Sequence, residues 1–298
     1  MQIEWEKSVF NPIIFAGRTY IIKRDDLLRP IGGNKARKLF ALSQQDLSTI
    51  KSITSFGGAQ SNAMLALAHF CALKHIRFDY YTRSVPKWLK QKPLGNLAHA
   101  LNQGMHWHIN STGLPPDTPD KSILCIPQGI SMPEAELGIK KLALEIKNYC
   151  VQEEISELAI VLPSGTGATA LYLQQHIKHT VYTVPCIGNS NVLMQFFKQQ
   201  LPDAKQYPTI LPEPSQVFRF GEPHIELLSI YKALLASTGI EFELLYDAKT
   251  WLSLIDWQSD KTILYIHNGG VSGNASMLAR YQRLGLSSDS STAGTVIL

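Results

Sequence analysis

Gly32-Gly33-Asn34-Lys35-Ala36-Arg37-Lys38-Leu39 is the stretch on which the reading of this 298-residue chain turns. A glycine pair leads into an asparagine suited to cap a helix, and a lysine follows at the first helical position, where free amide donors gather. The helix dipole disfavours positive charge there. Lys35 and Lys38, three apart on one face, are therefore either solvated or turned towards an anion. Upstream, TYIIKR (residues 19–24) reads as a strand that ends in a turn from Asp25-Asp26 to Pro30; downstream, Leu39 and Leu42 continue the helix. SITSF, Gly57-Gly58 and a long apolar helix from Asn62 to Lys74, with Ser61 as its N-cap, repeat the order strand, glycine turn, helix.

That order recurs along the chain. RFDYYT, MHWHIN, SILCIP, LAIVLP, VYTVPCIG, FELLY and TILYIH read as strands, and helices are expected near Leu94–Gln103, Pro133–Gln152, Thr169–Ile177, residues 190–201, Ile225–Ser237, Lys249–Ile255 and Ala275–Leu284. Alternation of this kind predicts an α/β fold with mostly parallel sheets covered on their faces. Residues 110–121 and the proline-rich stretch Pro202–Pro223 read as loops, and a serine-rich tail ends in the apolar Val296-Ile297-Leu298.

A composition of 45% hydrophobic and 17% charged residues is that of a soluble globular protein. The net charge of +4 is scattered and forms no basic arm, which argues against nucleic acid as a partner. No apolar run approaches a bilayer span, and Glu4 and Glu6 near the start do not suit a leader, so no membrane partner and a cytoplasmic location are expected. Cys71, Cys125, Cys150 and Cys186 lack metal or redox spacing and read as reduced core thiols. His106 and His108 alternate on one strand face without a third ligand, so no metal site is expected.

Three glycine-broken strand ends carry the chemistry. Ser164-Gly165-Thr166-Gly167-Ala168-Thr169 lies between a strand and a helix, where small residues let amides approach a phosphate; it has neither the lysine of a Walker loop nor the GxGxxG spacing. Gly57-Gly58-Ala59-Gln60-Ser61-Asn62 offers amides, a hydroxyl and a carboxamide at one point, enough to grip a carboxylate. Asn268-Gly269-Gly270 is the third break. Tyr246-Asp247, at the end of the expected strand FELLY, would stand at the sheet edge where ligands bind. Each turn alone is equally compatible with a capped helix or a tight turn and nothing more.

Taken in order, IKRDDLLRPIGGNKARKL, SFGGAQSN, IPQGISMPEAELGI, PSGTGAT, GIEFELLYDAK and HNGG resemble the successive blocks of the 1-aminocyclopropane-1-carboxylate deaminase and D-cysteine desulfhydrase family. That family belongs to the fold-type-II pyridoxal-phosphate enzymes, similar to the tryptophan synthase β subunit. The resemblance implies two open, parallel-sheet, three-layer domains with pyridoxal 5'-phosphate in the cleft between them: a large one from residues 1–45 and 133–298, and a small one from 46–132. It implies that Lys35 holds the cofactor as a Schiff base, with the helix start and neighbouring cations lowering its pKa. Lys38 and the Ser164, Gly165, Thr166, Gly167, Ala168 and Thr169 loop would bind the phosphate, and Asn62 the ring hydroxyl. Ser61 would sit by the substrate carboxylate and the reacting carbon. Tyr246 would lie against the ring or act as acid or base. Asp247 would face the pyridine nitrogen, and Asn268 would lie near the cofactor.

Three positions depart from the family pattern. Phe220-Gly221 stands where members carry a second active-site tyrosine, Asn268 where the desulfhydrases have threonine, and Ala63 where a polar side chain is usual. The expected activity is a lyase or deaminase that turns a small amino acid, D-cysteine or a relative, into a 2-oxo acid and ammonia by β-elimination. The alternatives are a 1-aminocyclopropane-1-carboxylate deaminase, a pyridoxal-phosphate-binding protein with little turnover, and an unrelated phosphate-ligand protein. The resemblance also implies a homodimer.

Overall fold

The computed structural model describes residues 2–286, so the apolar end Val296-Ile297-Leu298 lies outside the described residues. The chain opens with β1 (Phe10–Phe15) and β2 (Arg18–Lys23), followed by α1 (Asn34–Gln44). Then come β3 (Ser52–Phe56), α2 (Asn62–Lys74), β4 (Arg77–Thr82), α3 (Lys87–Gln91), α4 (Gly95–Asn102), β5 (His106–Ile109) and β6 (Ile123–Cys125). The remainder runs α5 (Ala135–Gln152), β7 (Leu158–Ser164), α6 (Ala168–His176), β8 (Val181–Pro185), α7 (Ser190–Gln200), β9 (Thr209–Ile210), α8 (Ile225–Thr238), α9 (Asp247–Asp256), β10 (Thr262–Ile266) and α10 (Asn274–Arg283).

Two sheets result. A four-stranded parallel sheet has the order β5-β4-β3-β6, and a six-stranded sheet the order β1-β2-β10-β7-β8-β9. In the larger sheet every pairing is parallel except the β1–β2 hairpin. Every residue of β7 is buried, as a central parallel strand covered on both faces requires. Leu158, Ile160 and Leu162 join the core under α5 and α6, whereas Ala159 and Val161 join the core under α8 and α9. The two-residue period thus makes one strand serve two helical layers.

Several expectations need correction. β1 was not anticipated, because Pro12 argues against a strand; it is tolerated since β1 lies at the sheet edge and pairs on one side only. Phe242–Tyr246 forms no strand. Side chains take its backbone groups instead: the Glu243 carboxylate accepts from the amides of Leu245 (2.8 Å) and Tyr246 (2.7 Å). Asn274 accepts from the Leu244 amide (2.8 Å) and donates to the Phe242 carbonyl (2.9 Å). Those bonds compete with any ladder. Asn34 is the first helical residue of α1 and not its cap, a place taken by Gly33. Cys125, on edge strand β6, is exposed, while Cys71, Cys150 and Cys186 are buried free thiols. His106 and His108 do not act together, since His106 is exposed and His108 bonds Asp79 at 2.6 Å.

One buried charge cluster fixes α1. The fully buried Arg37 guanidinium grips Asp25 through two bonds of 2.5 Å and Glu145 of α5 at 2.8 Å, and Ser8 donates to Asp25 at 2.5 Å. Lys23 reaches Glu145 at 3.0 Å and the Ser8 carbonyl. Burial pushes the Asp25 carboxyl up, but the Arg37 charge and hydrogen bonds outweigh it and hold it below the usual range.

Candidate active site

Topology brings the glycine turns together. β10 and β7 are parallel neighbours, with Tyr265 level with Val161, so the turns after both strands emerge side by side at one sheet edge. The start of α1 is clamped to this edge: Asn34 donates its amide to the Asn268 carbonyl at 3.0 Å, and Gly33 to the Asp25 carbonyl at 2.7 Å. Gly33 has φ of 71°, and a Cβ there would stand 1.8 Å from the Asn268 oxygen, so no other residue fits. The turn after β3, from the smaller sheet, forms the opposite wall.

Between the walls lies a cleft of about 770 Å³. Lys35, Lys38, Ser61, Asn62, Ser164, Gly165, Thr166, Gly167, Ala168, Thr169, Tyr246, Asp247 and Asn268, the site residues expected from the sequence, all line it. Phe220 does not. It is 44% exposed and meets the Tyr246 ring edge-on with centroids 5.1 Å apart.

Lys35 Nζ donates to Asn34 Oδ1 at 2.9 Å. Burial lowers its pKa to about 8, so roughly a tenth of its amine is neutral at pH 7, far more than for an ordinary lysine. Desolvation does this, not the neighbouring cation as expected; the charge of Lys35 instead adds to the burial that lowers Lys38. Lys38 Nζ donates to the Gly129 carbonyl at 3.0 Å. Among the described residues no carboxylate lies within ion-pair distance of either lysine.

Facing them, Gly167 turns in the left-handed region and starts α6, whose first amides point into the cleft without intrahelical partners. The hydroxyls of this loop each accept one bond and keep their own protons to donate: Ser164 accepts from Thr183 (2.7 Å), Thr166 from Ser131 (2.7 Å) and Thr169 from the Asn34 amide group (3.3 Å). One half-buried and one buried lysine in the same cleft as a helix N-terminus suit a dianion such as a phosphate ester. A second observation points to a ligand: Asn268 Oδ1 is buried without a hydrogen-bond partner. The residues present therefore fit a phosphorylated, hydrogen-bonding cofactor that takes an amine.

On the other wall Ser61 caps α2, accepting from the amides of Ala63 (3.2 Å) and Met64 (3.3 Å). Its lone pairs are thereby occupied, and its hydroxyl proton is shared between the Tyr80 phenol and the cleft. Asn62 Oδ1 accepts from Asn96 (2.7 Å), whose own oxygen accepts from Ser272 at 2.6 Å. Burial, with Glu243 and Cys186, pushes the Tyr246 phenol up, so it stays protonated. Asp247 is fully buried and takes the Tyr265 hydroxyl (2.6 Å) and the Glu243 amide (2.9 Å), with His267 Nδ1 at 3.6 Å. Burial raises its pKa, and His267 and the Tyr265 bond oppose that rise.

Sequence reasoning missed Asn34, Gln128, Gly129 and Ile187, which also line the cleft. The signal for Gln128 and Gly129 was in IPQGISMP, a glycine among small and polar residues after a strand. Asn34 was read as a cap, whereas its side chain links Lys35 to Thr169.

No family model matches the chain. Aligned over 304 residues, covering 90% of this chain and 93% of the relative, it is 26% identical to a Thermotoga maritima protein named "Putative 1-aminocyclopropane-1-carboxylate deaminase". A solved structure described as an ACC deaminase homologue superposes with a TM-score of 0.71 at 20% identity, covering 92% of this chain and 93% of its own. The architecture is that of the fold-type-II pyridoxal-phosphate enzymes. A fungal L-serine ammonia-lyase from Rhizomucor miehei shares this architecture, with a TM-score of 0.60 at 13% identity over 93% of this chain and 98% of its own. The resemblance read from the six sequence blocks holds over nine-tenths of the chain.

Proposed function

We propose that this chain is a pyridoxal-phosphate-dependent lyase or deaminase that converts a small amino acid to a 2-oxo acid and ammonia. The observation that carries the reading is the pair of lysines without carboxylate partners, Lys35 half-buried and Lys38 buried, that line one cleft with the start of α6, Ser61 and Tyr246. Bound there, the cofactor supplies an electrophilic carbon for an amine and an electron sink for the charge left when a proton departs.

Lys35 Nζ would hold the cofactor through its amine and would serve as the base for the substrate α-proton, tasks that its pKa of about 8 suits. Ser61 donates its hydroxyl to the substrate carboxylate. Lys38 and the amides of Gly165 to Thr169 hold the phosphate, Asn62 takes the ring hydroxyl, and Asn268 offers its unpartnered oxygen to the cofactor. Tyr246 packs on the ring and, being protonated, acts only as a donor. Asp247, fixed by Tyr265 and the Glu243 amide, faces the pyridine nitrogen. The fold divides at residues 46 and 132, a reading supported by the smaller sheet lying wholly within Ser52–Cys125.

D-cysteine or a related β-substituted amino acid is the substrate of first choice, and 1-aminocyclopropane-1-carboxylate the second. Phe220 favours this order, since its ring edge meets Tyr246 with no hydroxyl to assist ring opening. The likeness to the family also supports a homodimer in the cytoplasm. Purified protein tests the reading: it should bind pyridoxal phosphate with a visible absorbance band and yield a Lys35 adduct after borohydride. It should also release 2-oxo acid from members of a D- and L-amino-acid panel. A colourless protein without that adduct overturns the reading, and an adduct without turnover on any substrate reduces it to a cofactor-binding protein.

A further inference from the structure

A second open cavity, of about 750 Å³, lies at the carboxyl ends of β3 and β4. It shares Gln128 with the cleft around Lys35, and Gln128 Cγ is 3.5 Å from where a Cβ on Gly57 would stand. The side chain thus sits over the glycine turn at the junction of the two spaces. Phe56 pairs with Tyr81, and Gly57 donates its amide to the Tyr81 carbonyl at 3.1 Å, so Thr82 and Arg83 run on beside the turn that ends in Ser61. Neighbouring strands are about 4.8 Å apart. Arg83 and the turn that ends in Ser61 therefore leave the sheet from neighbouring strands, with Gln128 between the two spaces.

Arg83 lies exposed at the mouth of this cavity. Its Nε donates to the Thr112 carbonyl at 3.2 Å, which leaves the outer guanidinium nitrogens free to fork onto a carboxylate. The loop carrying Thr112 is braced by Asn110, which accepts from the Gly113 amide at 2.6 Å and donates to the Leu114 carbonyl at 2.8 Å. Gly113, at φ of 69°, lets the arginine lie down, because a Cβ there would come 2.7 Å from Arg83 Cγ. No carboxylate among the described residues lies within ion-pair distance of Arg83.

We infer that this cavity is a second substrate subsite: the distal carboxylate of a β-substituted amino acid, held by its α-carboxylate at Ser61, passes Gln128 and pairs with Arg83. The inference rests on the reading under Proposed function and narrows its substrate class to amino acids whose β-substituent is anionic. For a thioether substrate the Cα–H proton goes to the base and the Cβ–S bond breaks with its electron pair on sulfur. Water is consumed, and the products are pyruvate, ammonia and a thiol that carries the distal carboxylate.

The test is calorimetric titration of the protein, incubated with pyridoxal phosphate, with S-carboxymethylcysteine and its uncharged isostere S-carboxamidomethylcysteine, each in both enantiomers. The acid should bind about tenfold tighter than the amide. R83Q should bring the ratio to about one, and R83E should invert it. A wild-type ratio near one, or a tenfold ratio that survives in R83Q, overturns the subsite. Pyruvate release, measured separately, keeps the two claims apart: binding selectivity without turnover sinks the lyase reading alone, and turnover without selectivity sinks the subsite alone.

Discussion

The two walls of the cleft are built differently. The wall from the larger sheet is interlocked: α1 meets the β10 turn backbone to backbone at Gly33 and Asn268, and the 242–247 turn is pinned by Glu243, Asn274 and Tyr265. Arg37 adds buried, bidentate ion pairs behind it. The wall from the smaller sheet is a half-buried turn held by the Ser61 cap and by side-chain bonds among Gln60, Asn62, Leu94 and Asn96, and the ion pair of Arg77 with Asp79 stands away from it, at the start of β4. The difference teaches a division of labour: the fixed wall suits a permanently seated cofactor, and the lighter wall suits ligands that come and go.

Removing the amine from the fixed wall should have the largest effect. Lys35→Ala abolishes the borohydride-trapped adduct, followed by peptide mapping, and lowers turnover by about 10³-fold or more. Next, Arg37→Met strands Asp25 and Glu145 and should cost about 3–5 kcal/mol in urea unfolding. Arg77→Ala, at the far end of the smaller sheet, should cost no more than about 1 kcal/mol. Equal losses from these two variants would erase the contrast between the two sheets.

Acidity sharpens the same comparison. Below pH 8 the rate of Lys35 adduct formation should fall about tenfold per unit as the amine is protonated, and above pH 8 it should level off, as seen by stopped-flow absorbance. The Asp25 carboxyl, held low, contributes stability that is present above its unfolded pKa of about 3.9 and is lost as pH falls through its lower folded value. Acid should therefore loosen the fixed wall through Arg37. The smallest effect belongs to the cap. Ser61→Ala should cost about 1 kcal/mol and Ser61→Gly a few tenths in thermal melts, while both lose the carboxylate donor equally in assays of turnover.

Much of the fold could be read from the chain because its information is local. Small-residue turns between apolar strands and capped helices marked three strand ends, and Lys35 and Lys38 stood out as cations at a helix start. What stayed hidden was set at long range. FELLY has the composition of a strand, yet Asn274 and the Glu243 carboxylate capture its amides, a competition invisible without the partner thirty residues away. Arg37 reads as one more surface charge on α1 until Asp25 and Glu145 are seen around it. Pro12 disguised β1, because only the sheet order shows that the strand has a free edge.

The contact between Gly33 and Asn268 bears on synthesis. The lysine that defines the site is made among the first forty residues, but the turn that clamps its helix is made more than two hundred residues later. A nascent chain can fold the smaller sheet early, since β3 to β6 are close in sequence. The cleft itself has no closed wall until β10 slots between β2 and β7, so seating of the proposed cofactor would come late, reserved for chains that have already passed the test of near-complete folding.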